Sequence, residues 1–323
     1  MKIKNFQEVK IKEFLPETTK IFVPKEQRNV VENCVRGFGS EQNLANHLGI
    51  SRSRVNDWKF ERSRIDMGYF VKMKEMLKEE ITAEFQFQTH KRNGLNVCNF
   101  EMTPKISWLI GIRDGDRDED EYCIGVGTSD PEIATEFIEI LESVFKLRRN
   151  ELHCQITVPK YSINEKEKQT TKIEYSRILD LPKNIIRVYP KDKQGKHKRY
   201  HITKRYYNKL IKAFFNNFER WFKENITSFD DYVQGGYVKG LIDSEGTVRD
   251  YKRVAIEMRP SPIINFLDKV LDNLKLEHKF FEYKKKNVQT IVIYGPIDKI
   301  IKLSCPIHNN KREKLLKHPT FLV

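Results

Sequence analysis

The stretch YVKGLIDSEGTV, residues 237–248, combines an apolar start, two small residues and a terminal acid. Its apolar start predicts a helix, and Gly240 and Ser244 lie four residues apart, which places them on one face of that helix. The helix ends on the carboxylate of Glu245, and Gly246 follows it. A solvent-facing helix has no need of the small pair, and a core helix disfavours acids. The stretch therefore predicts a helix that packs closely against a partner and carries a functional acid at its end.

The partner is predicted to be a second copy of the same pattern, because residues 107–147 parallel residues 237–276. In each copy an acid-ended helix leads through a turn to an extended segment and an amphipathic helix, and strands and a final helix follow. The pattern predicts an α+β fold with two αββαββα halves, the first with a long basic insertion near residues 162–184. The alignment pairs Gly111 with Gly240, Gly115 with Ser244, and Asp116 with Glu245.

The paired small residues indicate the chemistry. Two such faces can pack backbone to backbone, closer than the usual separation of about 8–10 Å between helix axes. Asp116 and Glu245 then meet at two helix C-termini, where the helix dipoles and their mutual repulsion disfavour the charged carboxylates. A hard divalent cation, Mg²⁺ or Mn²⁺, compensates both effects and also binds substrate phosphates. This arrangement suits phosphodiester cleavage.

Two segments, VKGLIDSEG (238–246) and the more degenerate LIGIRDGDR (109–117), resemble the motifs of the LAGLIDADG homing endonucleases in their single-chain form. The resemblance covers roughly residues 105–323. It implies two antiparallel, saddle-shaped sheets on double-stranded DNA and site-specific cleavage of both strands. It also implies metal coordination by Asp116 and Glu245, structural or supporting roles for Asp114 and Asp243, a catalytic role for Lys204 and a polar contact from Arg259.

The first motif departs from the family pattern at two arginines. Arg113 stands where the family prefers an apolar residue, and Arg117 stands where it prefers glycine. We therefore expect the helix interface and the turn after Asp116 to be altered in the first half.

The strands of the second half carry side chains suited to DNA. Alternation along residues 247–259 predicts one face with Arg249, Tyr251, Arg253, Ala255 and Glu257. Exposed arginines on a sheet can contact base edges, whereas lysines neutralise phosphates. The predicted nucleic-acid contacts of this half are Arg249, Arg253, Arg259, Lys284 and Lys286, although a lysine run such as 284–286 is equally consistent with a solvated strand end.

The N-terminal part resembles a helix-turn-helix. In residues 40–60, Ser40 and Ser51 are predicted N-caps, and Gly49 ends the first helix. The outward residues of the second helix, Arg52, Arg54 and Asn56, are the predicted DNA contacts. The alternative is an ordinary helical hairpin with a polar face. The predicted domains are residues 1–95, with the small all-α helix-turn-helix at about 40–80, then 96–230 and 231–323.

Composition supports a polyanionic partner. The 323 residues include 59 Lys and Arg against 45 acids, which gives a net charge of +14. DNA is the expected partner and an anionic membrane surface the alternative. Without a long apolar run or an apolar signal core, the chain is expected to be an intracellular, cytoplasmic, nucleoid-associated monomer with no membrane partner.

Other enzyme classes lack their motifs in this sequence. There is no GxxxxGK[ST], HExxH or GxSxG segment, and the five scattered cysteines form no CxxC pair. Two other functions stay open within the same resemblance. One is a non-catalytic transcription regulator built on a LAGLIDADG fold with a helix-turn-helix, and the other is an RNA intron maturase.

Overall fold

The computed structural model describes residues 8–23, 26–79, 86–87, 99–118, 120–191, 199–249 and 253–317. In these ranges the chain forms helices and mainly antiparallel sheets, which confirms the predicted α+β class. No helix in this described part combines the length and apolar character that crossing a membrane requires.

The described residues of the N-terminal region form four helices and short strands. The segment 40–80 was predicted to be all-α, but it contains the short strand Ile65–Asp66, which pairs with Lys20–Ile21. Ser40 and Ser51 cap α2 (Glu41–Leu48) and α3 (Arg52–Lys59) as predicted, and Gly49 ends α2 in the left-handed conformation with a φ of 68°. Trp58 and Phe70 are fully buried in the core that these helices share. The elements are β1 (Glu8–Lys10), β2 (Lys20–Phe22), α1 (Glu26–Phe38), α2 (Glu41–Leu48), α3 (Arg52–Lys59), β3 (Ile65–Asp66), α4 (Met67–Met76) and β4 (Gln86–Phe87).

The first half follows the pattern of an acid-ended helix, a sheet and covering helices. Thr103 caps the helix that carries the first motif, and Asp130 caps the first covering helix. The elements are β5 (Asn99–Glu101), α5 (Pro104–Asp116), β6 (Cys123–Thr128), α6 (Pro131–Phe145), β7 (Leu152–Val158), α7 (Glu165–Ile178), β8 (Ile186–Pro190), β9 (His201–Tyr207) and α8 (Lys209–Asn225).

The second half has the predicted αββαββα order, followed by one additional helix. Its four strands are all antiparallel, and the fourth lies in the sheet between the second and the third. The elements are α9 (Asp231–Glu245), β10 (Gly246–Arg249), β11 (Arg253–Met258), α10 (Pro262–Asn273), β12 (Glu277–Tyr283), β13 (Val288–Gly295), α11 (Ile297–Ser304) and α12 (Asn309–Leu316).

The first sheet differs from the prediction of purely antiparallel sheets. Its order is β6-β9-β7-β8, and β8 runs parallel to β7. The predicted basic insertion near residues 162–184 is the cause: it forms the crossover helix α7 and leads into β8, which therefore runs in the same direction as β7 along the edge. A single bridge between Arg117 and Val126 stands where the second sheet has the longer pairing of β10 with β11.

The N-terminal segment packs against the first half, across the predicted boundary near residue 95. Strand β1 pairs with β5, and the Phe14 ring contacts Phe214, Phe218 and Trp221 at centroid distances of 5.4–5.8 Å. The Asn217 amide also donates to the carbonyl oxygen of Phe14 at 2.9 Å. The chain between Phe87 and Asn99, residues 88–98, lies outside the described residues.

Candidate active site

Helices α5 and α9 meet backbone to backbone because glycines line their contact. A Cβ atom at position 111 would overlap the carbonyl oxygen of Tyr237, and one at position 240 would lie 2.8 Å from the Cα of Gly111. At the acid end, a Cβ at position 115 would overlap Ser244 and lie 3.0 Å from Cγ of Glu245. The small residues therefore set the helix separation, and this separation brings the two terminal acids together.

Asp116 and Glu245 form a half-buried carboxylate pair at these helix ends. Burial, and then the charge of Glu245, raise the pKa of Asp116 to about 7. Burial also raises the pKa of Glu245. Among the described residues neither carboxylate has a hydrogen-bond or ion-pair partner within 4 Å. The oxygens of the pair are thus available to a ligand that carries positive charge.

Lys311 of α12 places a cation near the C-terminal end of α9, a position that the sequence did not predict. Its Nζ donates to the carbonyl oxygens of Ile242 at 2.8 Å and Asp243 at 2.6 Å, which satisfies the C-terminal end of α9. Burial lowers the pKa of Lys311, whereas Asp243, Asp116 and Glu245 oppose that shift. In the sequence, Lys311 stands among other charged residues of α12, and nothing there connects it to the acids.

The first acid of each motif, six places into it, holds the helices together. Asp243 accepts the indole N–H of Trp108 at 2.8 Å and the backbone N–H groups of Ile307 at 3.1 Å and His308 at 2.9 Å. Asp243 therefore anchors both α5 and the segment that leads into α12.

Asp114 occupies the corresponding position in the first motif. It accepts the Tyr237 hydroxyl at 2.7 Å and pairs with the Lys223 ammonium at 2.6 Å. Burial raises the pKa of Asp114, while the neighbouring ammonium opposes the shift. This carboxylate joins α5, α8 and α9.

The two unusual arginines of the first motif both pair with Glu219 of α8. Arg113 is fully buried, with its Nε 2.9 Å from Oε1 of Glu219 and its guanidinium 4.3 Å from the Phe215 ring centroid. Arg117 reaches the other oxygen of Glu219 at 2.7 Å. The first half thus accommodates these residues with one buried acid, and Asp116 keeps its position at the helix end.

Lys204, predicted to be catalytic, does not lie with the acid pair. It is fully buried on the inward side of β9, and its Nζ donates to Sγ of Cys154 at 2.8 Å. Burial lowers the pKa of this ammonium. Strand alternation explains the difference, since Lys204 follows the inward residue Ile202 by two positions and therefore faces the core.

An open pocket of about 540 Å³ surrounds the acid end of the helix pair. Asp116 and Asp243 line it together with cationic and polar side chains from the first sheet and α12. In the described ranges no three His, Cys, Asp or Glu side chains converge as a metal cluster, so a metal here would draw its remaining ligands from water or substrate. The other lining residues are Gly127, Thr128, Ser129, Arg199, Tyr200, His201, Ser244, His308 and Lys311.

The predicted DNA contacts of the second sheet are exposed. Arg249 and Arg253 lie opposite each other on β10 and β11, and Arg249 is 3.9 Å from Glu257. Ala255 is buried, and Tyr251 lies outside the described residues. Arg259 follows the end of β11, whereas Lys284 and Lys286 lie in a 3-10 turn between β12 and β13 rather than in a strand.

The three residues predicted for α3 have different surroundings. The Arg52 side chain is 66% exposed and lies 3.4 Å from Glu41. Arg54 pairs with Asp66, and its guanidinium lies over the rings of Trp58 and Tyr69 at 5.2 and 5.4 Å. Asn56 is half-buried. Arg52 is thus the exposed member of the three, while Arg54, with 39% of its side chain accessible, also contributes to the packing of α3.

The comparisons with known proteins gave matches among solved structures alone, since no family model and no curated protein matches the sequence. A structure of I-DmoI in complex with DNA and Mn is 16% identical, with a TM-score of 0.39 over 63% of this chain and 97% of that chain. I-DmoI in complex with DNA and Ca is 15% identical, with a TM-score of 0.41 over 67% and 99%. The N-terminal LAGLIDADG domain of DUF199/WhiA is 14% identical, with a TM-score of 0.36 over 68% and 86%. The solved structures similar to this chain thus include a homing endonuclease and a LAGLIDADG domain.

Proposed function

We propose that the chain is a site-specific DNA endonuclease that hydrolyses phosphodiester bonds in both strands, acts as a monomer, and uses Mg²⁺ or Mn²⁺. The observation that supports this proposal is the acid pair itself. Asp116 and Glu245 are half-buried, adjacent, and without a hydrogen-bond or ion-pair partner in the described part of the chain. Two such carboxylates are unfavourable unless a cation joins them.

The pair fits a divalent ion. Carboxylate oxygens are the donors that Mg²⁺ prefers, and this ion commonly keeps several waters and binds through one or two carboxylates plus substrate phosphates. Burial together with Glu245 raises the pKa of Asp116 to about 7, and a bound dication would favour the ionised form. When bound there, the ion supplies Lewis acidity and an activated water.

The remaining groups of the pocket position and neutralise the substrate. Lys311 places an ammonium at the acid end of α9, where it can pair with a phosphate oxygen. His201 of β9 and Arg199, which precedes that strand, line the same pocket. The hydrogen bonds to Asp243 and Asp114 hold the two helix ends rigidly, as catalytic ligands require.

Cleavage of DNA tests the proposal. A target is first selected from a randomised duplex library, and strand cleavage is then followed with Mg²⁺ or with EDTA. Asp116→Asn and Glu245→Gln should each slow cleavage by about a hundredfold or more, because several kcal/mol of transition-state stabilisation depend on the metal. Neither change should weaken binding, because neither removes a phosphate-neutralising cation.

Glu139→Gln is the matched control, since it removes one exposed carboxylate from α6. It should leave both cleavage and binding unchanged. Metal-dependent cleavage at the wild-type rate in both acid variants would reject the proposed role of the pair.

A non-catalytic DNA-binding regulator is the second candidate, and the position of Lys311 favours it. An ammonium at the acid pair partly neutralises the carboxylates without a metal. On this alternative the chain binds its selected duplex equally in Mg²⁺ and EDTA and cuts neither strand. Calorimetric titration with Mn²⁺ should then detect no binding to the wild type, whereas Lys311→Met should gain metal affinity.

A further inference from the structure

The first sheet has an edge strand that the second sheet lacks. Strand β8 extends the order β6-β9-β7-β8, whereas the second sheet ends at β12, the counterpart of β7. The extra strand pairs with β7 in parallel from Ile186 to Pro190. It belongs to the inserted segment 159–191, in which eight Lys and Arg residues stand against four acids. The basic residues are Lys160, Lys166, Lys168, Lys172, Arg177, Lys183, Arg187 and Lys191, and the acids are Glu165, Glu167, Glu174 and Asp180.

The side chains of β8 alternate between the core and an open face. Ile186 and Val188 are buried, whereas Arg187 and Tyr189 are exposed, the latter by 42%. Neither exposed side chain has a hydrogen bond, ion pair or ring contact within the described ranges. An arginine and a tyrosine are therefore presented on this face without a structural role there.

Helix α7 leaves that face uncovered. Its buried residue Tyr175 lies near Cys154, an inward residue of β7, so α7 covers the core side of the extra strand. The outward side of the strand remains exposed beside β7.

Strand register joins this face to the pocket. Tyr189 lies beside Thr157, which lies beside His201, and His201 lines the same pocket as Asp116. The neighbouring row runs from Arg187 through Gln155 to Thr203. None of the six residues is acidic. The row through His201 runs from the pocket to the sheet edge, whereas the second row ends inward at Thr203, which is buried.

We propose that β8 extends the DNA-reading face of the first sheet by one strand, with Arg187 at a base edge and Tyr189 beside it. The inference rests on the proposed function, because it requires duplex DNA on this face. Charge complementarity favours DNA as the occupant, since the segment is basic and arginine pairs with O6 and N7 of guanine in the major groove. One strand spacing of about 4.8 Å corresponds to roughly one to two base-pair steps of about 3.4 Å. The recognised sequence is accordingly longer on the side of the first half.

Selection from a randomised duplex library tests this inference. The wild type, Arg187→Ala and Tyr189→Ala are compared in EDTA, so that binding is measured without cleavage. Arg177→Ala is the matched control, because it removes the same charge from an exposed position of α7 in the same inserted segment. Size-exclusion chromatography of every variant reports whether the edge strand pairs with a second copy of the chain.

Arg187→Ala should lose the base preference at one or two outer positions of one half-site and keep the preferences elsewhere. Affinity for the wild-type target should fall about five- to hundredfold, as for the loss of one specific base contact. Arg177→Ala should retain the wild-type preferences. Unchanged preferences in Arg187→Ala, a uniform loss at every position, or a change in oligomeric state alone would overturn the inference.

The two proposals fail differently. A wild type that enriches no sequence contradicts DNA recognition itself and this inference with it. A wild type that enriches and cuts a target, with the same outer positions preferred by Arg187→Ala, leaves the endonuclease proposal intact and rejects only the role of β8.

Discussion

The indole Nε1 of Trp108 donates a 2.8 Å hydrogen bond to Asp243 across the central helix pair. The reciprocal bond exists on the other side, where the Tyr237 hydroxyl donates to Asp114 at 2.7 Å. Trp108 and Tyr237 hold corresponding positions of the two motif copies, as do Asp114 and Asp243. Each motif thus binds the other through an aromatic donor and a buried acid, which fixes the register of the helices and hence the meeting of their terminal carboxylates.

Removing either aromatic donor should destabilise the protein. Trp108→Phe and Tyr237→Phe each delete one hydrogen bond to a buried carboxylate, so the free energy of unfolding should fall by about 1–3 kcal/mol. Urea denaturation measures the change. Tyr161→Phe is the control, because the Tyr161 side chain is 62% exposed. If all three variants were as stable as the wild type, these two hydrogen bonds would not hold the helix pair.

The glycines of the helix contact should tolerate no methyl group. Gly111→Ala and Gly240→Ala push the two helix backbones apart, so the free energy of unfolding should fall by about 1–3 kcal/mol or more in each variant. DNA cleavage should also be lost, because the two acids are displaced. Gly37→Ala serves as control, since that exposed glycine of α1 has no atom within 4 Å of the added Cβ. The free energy of unfolding of Gly37→Ala should rise by up to about 1 kcal/mol, because alanine has the higher helix propensity. Thermal unfolding of the three variants measures the effect. A melting temperature that falls as far in Gly37→Ala as in the other two variants would contradict the prediction.

The acid pair should make stability depend on pH. The carboxyl group of an Asp in the unfolded chain has a pKa of about 3.9. Burial, followed by the charge of Glu245, raises the pKa of Asp116 to about 7 in the folded chain. The folded chain therefore holds this proton more tightly, and the free energy of unfolding falls as pH rises from about 4 to 7 and then levels off.

Asp116→Asn should abolish the fall in the free energy of unfolding between about pH 4 and 7, because the amide does not titrate. Relative to the wild type it should be more stable above pH 7 without metal and equally stable below about pH 4. Saturating Mg²⁺ should stabilise the wild type and not the variant, because a ligand that binds the folded state stabilises it. Melting temperatures across this pH range, with Glu139→Gln as control, measure the effect. A constant difference between Asp116→Asn and the wild type at all pH values would contradict the assignment.

The two arginines of α3 should separate DNA binding from packing. Arg52 is exposed, so Arg52→Ala should weaken binding and lower the slope of log K against log salt by about 0.9 if the residue meets a phosphate. Arg54→Ala should chiefly reduce stability, because Arg54 pairs with Asp66 and lies over two aromatic rings. Point variants are preferable to removal of residues 1–95, since Phe14 packs on α8. An unchanged salt slope in Arg52→Ala would assign α3 to the scaffold.

Much of the core architecture follows from local pattern. The glycine spacing of Gly111, Gly115 and Gly240 predicts close helix packing, and the positions of Asp116 and Glu245 after them predict that the acids meet. These features are readable because helix periodicity converts a spacing of four residues into a shared face. The same reasoning locates α2 and α3 from Ser40, Gly49 and Ser51, whose preferences for caps and turns are local.

Local sequence patterns are sufficient to predict the paired acid-ended helices, the strands and helices that follow each of them, and the basic character of the chain. The identity of the distant residues that join the site depends on the packing of the whole chain. Lys311 reaches the acid end of α9 from the additional helix α12, Lys204 faces the core beside Cys154, and β8 adds to the sheet edge. The physical reason is that periodicity specifies the face on which a side chain lies, whereas its partner depends on how separate elements pack in three dimensions.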